Sequence, residues 1–310
     1  MILYRPVGAA EMALIAESGC KAFPPRLPKQ PIFYPVLNEA YACEIAEKWN
    51  AKTENSLGYV TRFEIDDSFG TKFEVHTVGS SLHQELWVPA EELPRLNQNI
   101  LGRIEVIRVF RGKGDRRELL LTYFEPFGGE KTNASAQAAA LLPERIGAWS
   151  IVKCRLPVVF GLAGEKCRAL IDALRPDAVL MLGQAGGREA VTPELLARNV
   201  RWARIPDNAG NEAKGEPVVP GGEDALFATL PVEAMTEAIR AAGLPGALSA
   251  TAGLYVCNDL YYSVLHRLRG TGIPAAFVHV PSAQTLSSER SARALEAAIT
   301  ALDGEKGTVE

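Results

Sequence analysis

The sequence predicts an open, mostly parallel α/β sheet with helices on both faces, preceded by a smaller α+β domain. Three observations carry that reading. From Leu119 onward, short apolar runs alternate with helical periodicities. Before it, a proline-dense segment is followed by strand-like alternation. Between the two lies Arg111 to Arg117, RGKGDRR, a glycine- and charge-rich stretch of linker character. A chain of 310 residues also fits two domains better than one. The expected division is 1–112 for the first domain, 113–117 for the linker, 118–303 for the second domain and 304–310 for a polar tail that frays.

In the first domain, a periodic apolar stretch near Ala9 to Ala16 is a helix, and Ala22 to Asn38 carries five prolines, which forbid helix and impose an extended path. Asn38 stands where a helix N-cap belongs, ahead of Ala40 to Trp49. Tyr59 to Ile65, Lys72 to Val78, Leu82 to Val88 and Ile104 to Phe110 read as strands. In the second domain, Leu119 to Tyr123, Trp149 to Cys154, Ala178 to Leu182, Ala247 to Ala250 and Ala275 to Val280 have the unbroken apolar character of strands buried on both faces. Helical spacing places Cys167, Leu170, Ile171 and Leu174 on one face. The same holds for Met235, Ala238, Ile239 and Ala242, for Leu260, Tyr261, Val264, Leu265 and Leu268, and for Ala292, Leu295, Ile299 and Leu302. Pro176, Gly243 and Gly270 fall where the first three of these helices should stop.

Composition excludes several classes of function. With 33 Lys+Arg against 37 Asp+Glu, a net charge of −4 and no basic block, the surface is not built for nucleic acid or anionic membrane. The apolar runs are far shorter than the roughly 20 residues of a membrane span, and Arg5, Glu11 and Glu17 interrupt the first residues, so neither a span nor a signal peptide is expected. Five cysteines (Cys20, Cys43, Cys154, Cys167, Cys257) lie scattered, with no CxxC pair and no ligand-spaced histidine, which points to a reducing cytoplasm and to no structural zinc. No metal or other cofactor is expected.

Ligands of open parallel sheets collect at the carboxyl ends of the strands, and chemistry-capable residues concentrate there: FEPFGGEKTN (Phe124 to Asn133), GQAGGREAVTPE (Gly183 to Glu194) and His279. Cys257 stands at the start of a helix, where unpaired N–H groups and the helix dipole favour thiolate over thiol. With His279 beside it as base and a carboxylate, Glu194, behind the ring, it becomes a nucleophile. The competing reading of Cys257 and His279 is a small buried hydrophobe and a core histidine. GQAGGR matches neither phosphate-loop spacing, and Phe124 and Phe127 read either as core or as pocket walls.

These blocks, with LPVVFG (Leu156 to Gly161), ARIPDNAGN (Ala203 to Asn211), TAGLYVCN (Thr251 to Asn258) and FVHVP (Phe277 to Pro281), resemble pyroglutamyl-peptidase I, also called pyrrolidone-carboxylate peptidase. The resemblance implies a cytoplasmic cysteine exopeptidase that removes N-terminal pyroglutamate through a thioester, with Glu194, Cys257 and His279 as the catalytic set. It implies that Phe124 and Phe127 sandwich the lactam, that Gln184 is a polar contact and that Arg204 lies near the active centre. Homo-oligomers are common in that family. The chain departs from the family pattern at Tyr123, Leu254, Tyr255 and Asp259 and in the SAQ after Pro281. Tyr123 is expected to narrow the pocket, and Asp259 either to raise the thiol pKa or to sit solvated. The rival is a weak or inactive peptidase-like binding protein. The first domain resembles small uncharacterised proteins sometimes labelled ADP-ribosylation-related. That likeness implies NAD-dependent transfer through Arg5, Tyr34 and Glu85, and the plainer reading of the domain is an interaction or oligomerisation module.

Overall fold

A computed structural model describes residues 1–52, 57–112 and 117–303, so most of the expected linker and the expected tail, 304–310, lie outside the described residues. The chain divides into two compact units, Met1–Arg116 with Asp172–Arg175, and Arg117–Ile171 with Pro176–Glu310.

In the first unit, β1 (Ile2–Gly8), β3 (Leu57–Ile65) and β7 (Ile100–Arg111) form an antiparallel sheet in the order β1-β3-β7. Helix α1 (Ala9–Glu17) buries Met12, Ile15 and Ala16. The proline-rich path contributes only β2 (Ile32–Phe33), and Phe23 on that path packs against the rings of Phe33 and Phe63 at 4.9 and 4.8 Å. Asn38 caps α2 (Glu39–Ile45) by accepting from the Tyr41 N–H at 2.8 Å, and the helix widens into a π-helical turn over Ala46–Asn50. Gly58 is required there, because a Cβ would stand 2.1 Å from the Ala46 carbonyl oxygen. The expected strand Lys72 to Val78 shortens to β4 (Val75–Thr77). Asp66 caps the short helix α3 (Asp67–Gly70), and the turn that follows bonds Lys72 and Phe73 back to Phe69 and Gly70. The expected strand Leu82 to Val88 splits into β5 (Gln84–Leu86), paired with β4, and β6 (Val88–Pro89), paired with β2. Helix α4 (Leu93–Gln98) precedes β7.

The second unit is built on β8 (Arg117–Phe124), β9 (Arg145–Ile146), β10 (Trp149–Leu156), β11 (Ala178–Gln184), β12 (Thr192–Glu194) and β15 (Ala275–Val280). They form one sheet in the order β12-β15-β11-β8-β10-β9, and a small pair, β13 (Leu196–Arg198) with β14 (Ala225–Phe227), stands apart from it. The contacts β10/β8, β8/β11 and β11/β15 are parallel, and the two edge strands, β9 and β12, are antiparallel. One face, with Leu119, Leu121, Leu180, Val278 and Val280, packs against α5 (Ala134–Leu141), α7 (Val232–Ala241) and α9 (Ser288–Thr300). The alternate residues Leu120, Val179, Met181 and Phe277 are equally buried on the face that α6 (Leu162–Leu174) and α8 (Val256–Leu268) complete. Helix α6 ends at Leu174, just before Arg175 at φ 51°, and Gly243 and Gly270, both at φ 71°, follow the ends of α7 and α8.

One expected strand is absent. Ala247 to Ala250 is a loop, joined to its neighbours only by isolated parallel bridges, Val191 with Gly246 and Glu194 with Ser249. The edge of the sheet is taken by β12 instead, so a run of four small or apolar residues finds no ladder to join.

Candidate active site

Three neighbouring parallel strands, β15, β11 and β8, end together on one edge of the sheet. In register, Gly183 pairs with His279, and extending the Met181–Thr122 pairing by two residues sets Phe124 in the same row. Residues in one row of a parallel sheet point to one face, so Phe124, the bare Gly183 backbone and His279 lie side by side. Strand β12 completes the row, with Thr192 opposite His279 and Glu194 opposite Phe277.

His279 Nδ1 donates to Glu194 Oε1 at 2.7 Å, with Glu194 fully buried and His279 4% exposed. That bond sets the proton on Nδ1 and leaves Nε2 as the basic nitrogen. Cys257 is the second residue of α8, and its sulfur occupies the place a side chain at 183 would take: a Cβ on Gly183 would be 3.0 Å from Cys257 Sγ and 2.8 Å from Phe277 Cζ. The strand pairing therefore sets the imidazole and the carboxylate beside Gly183, and the sulfur, carried by α8, lies over that glycine.

Burial pushes the Cys257 thiol up to about 12, with the charge of Glu194 adding to the rise and Arg188 partly offsetting it. His279 is lowered from the ordinary imidazole value, mainly by burial. The Glu194 bond and charge oppose that shift, and Arg188 adds to it. The resting pair is thus a neutral thiol and a neutral imidazole. The helix start, whose dipole contributes about 0.3–1 kcal/mol toward the thiolate, works against that rise at a residue that is half-buried.

Beside the sulfur is a narrow, mostly apolar cleft, partly open to solvent, walled by Phe124, Phe127, Val158, Tyr255 and Val256, with Asn133 and Gln184 as its polar members. Phe124 is buried and Phe127 half-buried. Gln184 Oε1 accepts the Ala134 N–H at 2.6 Å at the start of α5, which turns the amide nitrogen into the donor left for the cleft. Asn133 is fixed by its bonds to Ser135 and to the Glu125 carbonyl oxygen. The Tyr255 ring stands 6.3 Å from Phe127 and 5.3 Å from Phe160, and its hydroxyl donates to Pro206 O at 2.9 Å.

Other expected contributors lie elsewhere. Arg204 is exposed, is not part of the cleft wall and makes no ion pair or hydrogen bond among the described residues. Its loop does reach the rim, where Ile205 meets Gly128 at 3.6 Å from the Cβ position. Tyr123 does not narrow the pocket: strand alternation turns it to the opposite face, where it packs on the Leu119–Leu121 core. Asp259 neither acts on the thiol nor sits in solvent. It is fully buried and accepts from Arg201 Nε at 2.5 Å and from the Gly161 N–H at 2.7 Å, which compensates its charge locally.

In the first unit, Arg5 is held by Glu11 at 3.2 Å and by Tyr34 O at 3.1 Å, and it lies over the Phe33 ring. Glu85 receives the Tyr41 hydroxyl and the Trp87 indole N–H at 2.9 and 3.1 Å. Each is occupied within the fold. Among the described residues no group of three or more His, Cys, Asp or Glu is placed to hold a metal ion, and no helix is long and apolar enough to cross a membrane.

Sequence reading missed Arg188, whose guanidinium contacts Glu194 Oε1 at 2.5 Å. Its only local signal was an arginine just past two glycines at a strand end.

The family model described as pyroglutamyl peptidase matches residues 117–302. The pyrrolidone-carboxylate peptidase of Levilactobacillus brevis is 46% identical over 198 residues, spanning 60% of this chain and 97% of the relative. That of Thermococcus onnurineus is 43% identical over 190 residues, spanning 60% and 95%. Among solved structures, pyroglutamyl peptidase I of Bacillus amyloliquefaciens superposes with a TM-score of 0.58 at 36% identity, covering 61% of this chain and 98% of that one. A mutant pyrrolidone carboxyl peptidase from Pyrococcus furiosus superposes with a TM-score of 0.58 at 35% identity, covering 61% and 99%.

Proposed function

The chain belongs to the pyroglutamyl peptidase family through residues 117–302, and from that membership we propose that it is a cysteine exopeptidase that removes pyroglutamate from the amino terminus of peptides. The observation that carries the reading is the buried Glu194–His279 bond at 2.7 Å, set beside a cysteine sulfur that fills the space over Gly183.

The chemistry follows from the neutral resting pair. As Cys257 Sγ forms its bond to the pyroglutamyl carbonyl carbon, its proton passes to His279 Nε2, and Glu194 stabilises the imidazolium that results. Tyr255, the N-cap of α8, offers no side-chain cap, so first-turn N–H groups, including that of Cys257, remain to stabilise the oxyanion. Collapse breaks the C–N bond, His279 gives its proton to the departing amine, and a thioester remains. A water molecule, deprotonated by His279, attacks the thioester, releasing pyroglutamate and restoring the thiol.

Specificity is assigned to the cleft. Phe124, Phe127 and Tyr255 suit the faces of a flat uncharged lactam, and the Gln184 amide donates to the lactam carbonyl. A site built around that carbonyl rejects an analogue lacking it by roughly 10⁴-fold or more. Arg204, at the rim, is assigned contact with the substrate beyond the ring. The five free cysteines fit a reducing, cytoplasmic location. For the first unit we retain partner binding, with no NAD-dependent labelling of any acceptor as the expected result. The test of the main reading is hydrolysis of a fluorogenic pyroglutamyl amide: turnover that Cys257→Ala abolishes supports it, and lactam binding without turnover establishes the inactive binding protein instead.

A further inference from the structure

Glu194 has no exposure to solvent, and both groups that bond its carboxylate do so at Oε1: His279 Nδ1 at 2.7 Å and Arg188 Nη1 at 2.5 Å. Its Oε2 is buried without a hydrogen-bond partner among the described residues. A buried carboxylate needs a cation, and neutral His279 is not one, so Arg188 supplies the balancing charge. The same guanidinium reaches further. Nη1 also bonds Thr192 Oγ1, at the other end of β12, and Nη2 donates to Thr251 O at 2.8 Å, on the segment that leads into α8 and Cys257. Arg188 itself lies four residues past Gln184, midway along the loop between β11 and β12. One planar group therefore ties the cleft loop, the carboxylate strand and the approach to the nucleophile helix.

We propose that Arg188 is a positioning residue of the peptidase: its guanidinium clamps Glu194 and fixes it relative to the Cys257 helix, so that Glu194 in turn orients His279 for work at the sulfur. The proposal rests on the peptidase reading and adds to it a residue that acts only through Glu194 and His279. The charged groups that act on His279 are Glu194 from β12 and Arg188 from the loop after β11, and Cys257 and Tyr261 of α8 lie near the same glutamate. Asp259, also on α8, is neutralised by Arg201. Among these, Arg188 is the cation that opposes protonation of the ring. Without it, the Glu194 charge falls on His279 alone and favours the imidazolium, which cannot accept the thiol proton.

The test is the pH profile of kcat/KM for a pyroglutamyl amide, read together with the pH dependence of Cys257 alkylation by iodoacetamide, followed on the Cys257-containing peptide by mass spectrometry. Arg188→Met is expected to lower kcat/KM at least tenfold at pH 7, with KM changed much less than kcat, and to move the acid limb up by about one pH unit. Arg188→Lys is expected to keep the acid limb near the wild-type position while recovering only part of the rate, because an ammonium cannot bridge Glu194 and Thr251 as the planar fork does. A loss of rate with the acid limb unmoved in Arg188→Met, or wild-type kcat/KM in either variant, overturns the proposal. If Arg188→Met does not fold, Arg188→Lys carries the test: a reduced kcat supports the clamp and an unchanged one refutes it. The alkylation profile reads the ionisation of Cys257, which the same Glu194 and Arg188 charges influence, in a protein that hydrolyses nothing, so failure of the peptidase reading is seen separately, in the wild type.

Discussion

Gly183 is where the strand geometry and the chemistry meet, and replacing it with alanine tests both. A methyl group there would stand 3.0 Å from Cys257 Sγ and 2.8 to 2.9 Å from the edge of the Phe277 ring, on a strand held between two parallel neighbours. Restoring ordinary contact at 3.4 Å requires the sulfur to retreat by about 0.4 Å and the ring by about 0.6 Å, and the ring lies 4.7 Å from that of His279. Overpacking of this kind costs about 1–3 kcal/mol of stability, which a folded domain survives. The catalytic cost is larger, since a misplacement near 1 Å at reacting atoms lowers rates by about 10²-fold. Gly183→Ala should therefore lower kcat on a pyroglutamyl amide about 10- to 100-fold, while KM stays within about threefold and thermal unfolding remains cooperative. A variant with kcat within threefold of the wild type would show that the sulfur does not work from the place assigned to it.

Other consequences can be measured alongside. Because burial holds His279 below its ordinary value, the acid limb of kcat/KM should fall below pH 6.5, the usual imidazole pKa. The stability linked to that histidine has the same sign: it is whole above about pH 6.5 and is lost as pH falls through the folded value, which a series of melting temperatures will read. Asp259→Ala strips the partner from Arg201 and the Gly161 N–H and should cost about 3 kcal/mol, seen by denaturant titration, with kcat at 25 °C within about fivefold of the wild type because that carboxylate does not act on the thiol. Phe127→Ala removes one half-buried wall of the cleft and should raise KM roughly tenfold with little change in kcat. An amide of N-terminal proline should be refused altogether, and measurable cleavage of it would remove the Gln184–lactam contact from the account.

Much of the carboxyl-terminal fold was legible because its strands are apolar on both faces and its helices stop at residues with a plain reason to stop, such as Pro176 and Gly243. The residues assigned to catalysis were legible for a different reason, namely that each sits next to a local feature: Cys257 at a helix start, His279 near a strand end, Glu194 in a block shared with the family. What was not legible depends on the third dimension. Strand β12 is three residues with a proline at its centre, too short to show alternation, so it does not read as a strand while the apolar run Ala247 to Ala250 does. The side of the sheet to which Tyr123 turns follows from the register of β8, which a single chain position does not reveal. Asp259 read as a perturbing charge because its partner, Arg201, lies 58 residues earlier. Arg188 was invisible for the same reason in reverse: its role is defined by what it touches, and those partners come from β12 and from the approach to α8.

The most direct test of the central claim is to quench the enzyme in acid during turnover of a pyroglutamyl amide and to map the covalent adduct by peptide mass spectrometry. A pyroglutamyl thioester on Cys257 alone, absent from Cys257→Ala and strongly diminished in His279→Ala, which lacks the base that takes the thiol proton, is the predicted result. Turnover with no acyl group on Cys257, or with the adduct on another residue, would contradict the assignment of the nucleophile.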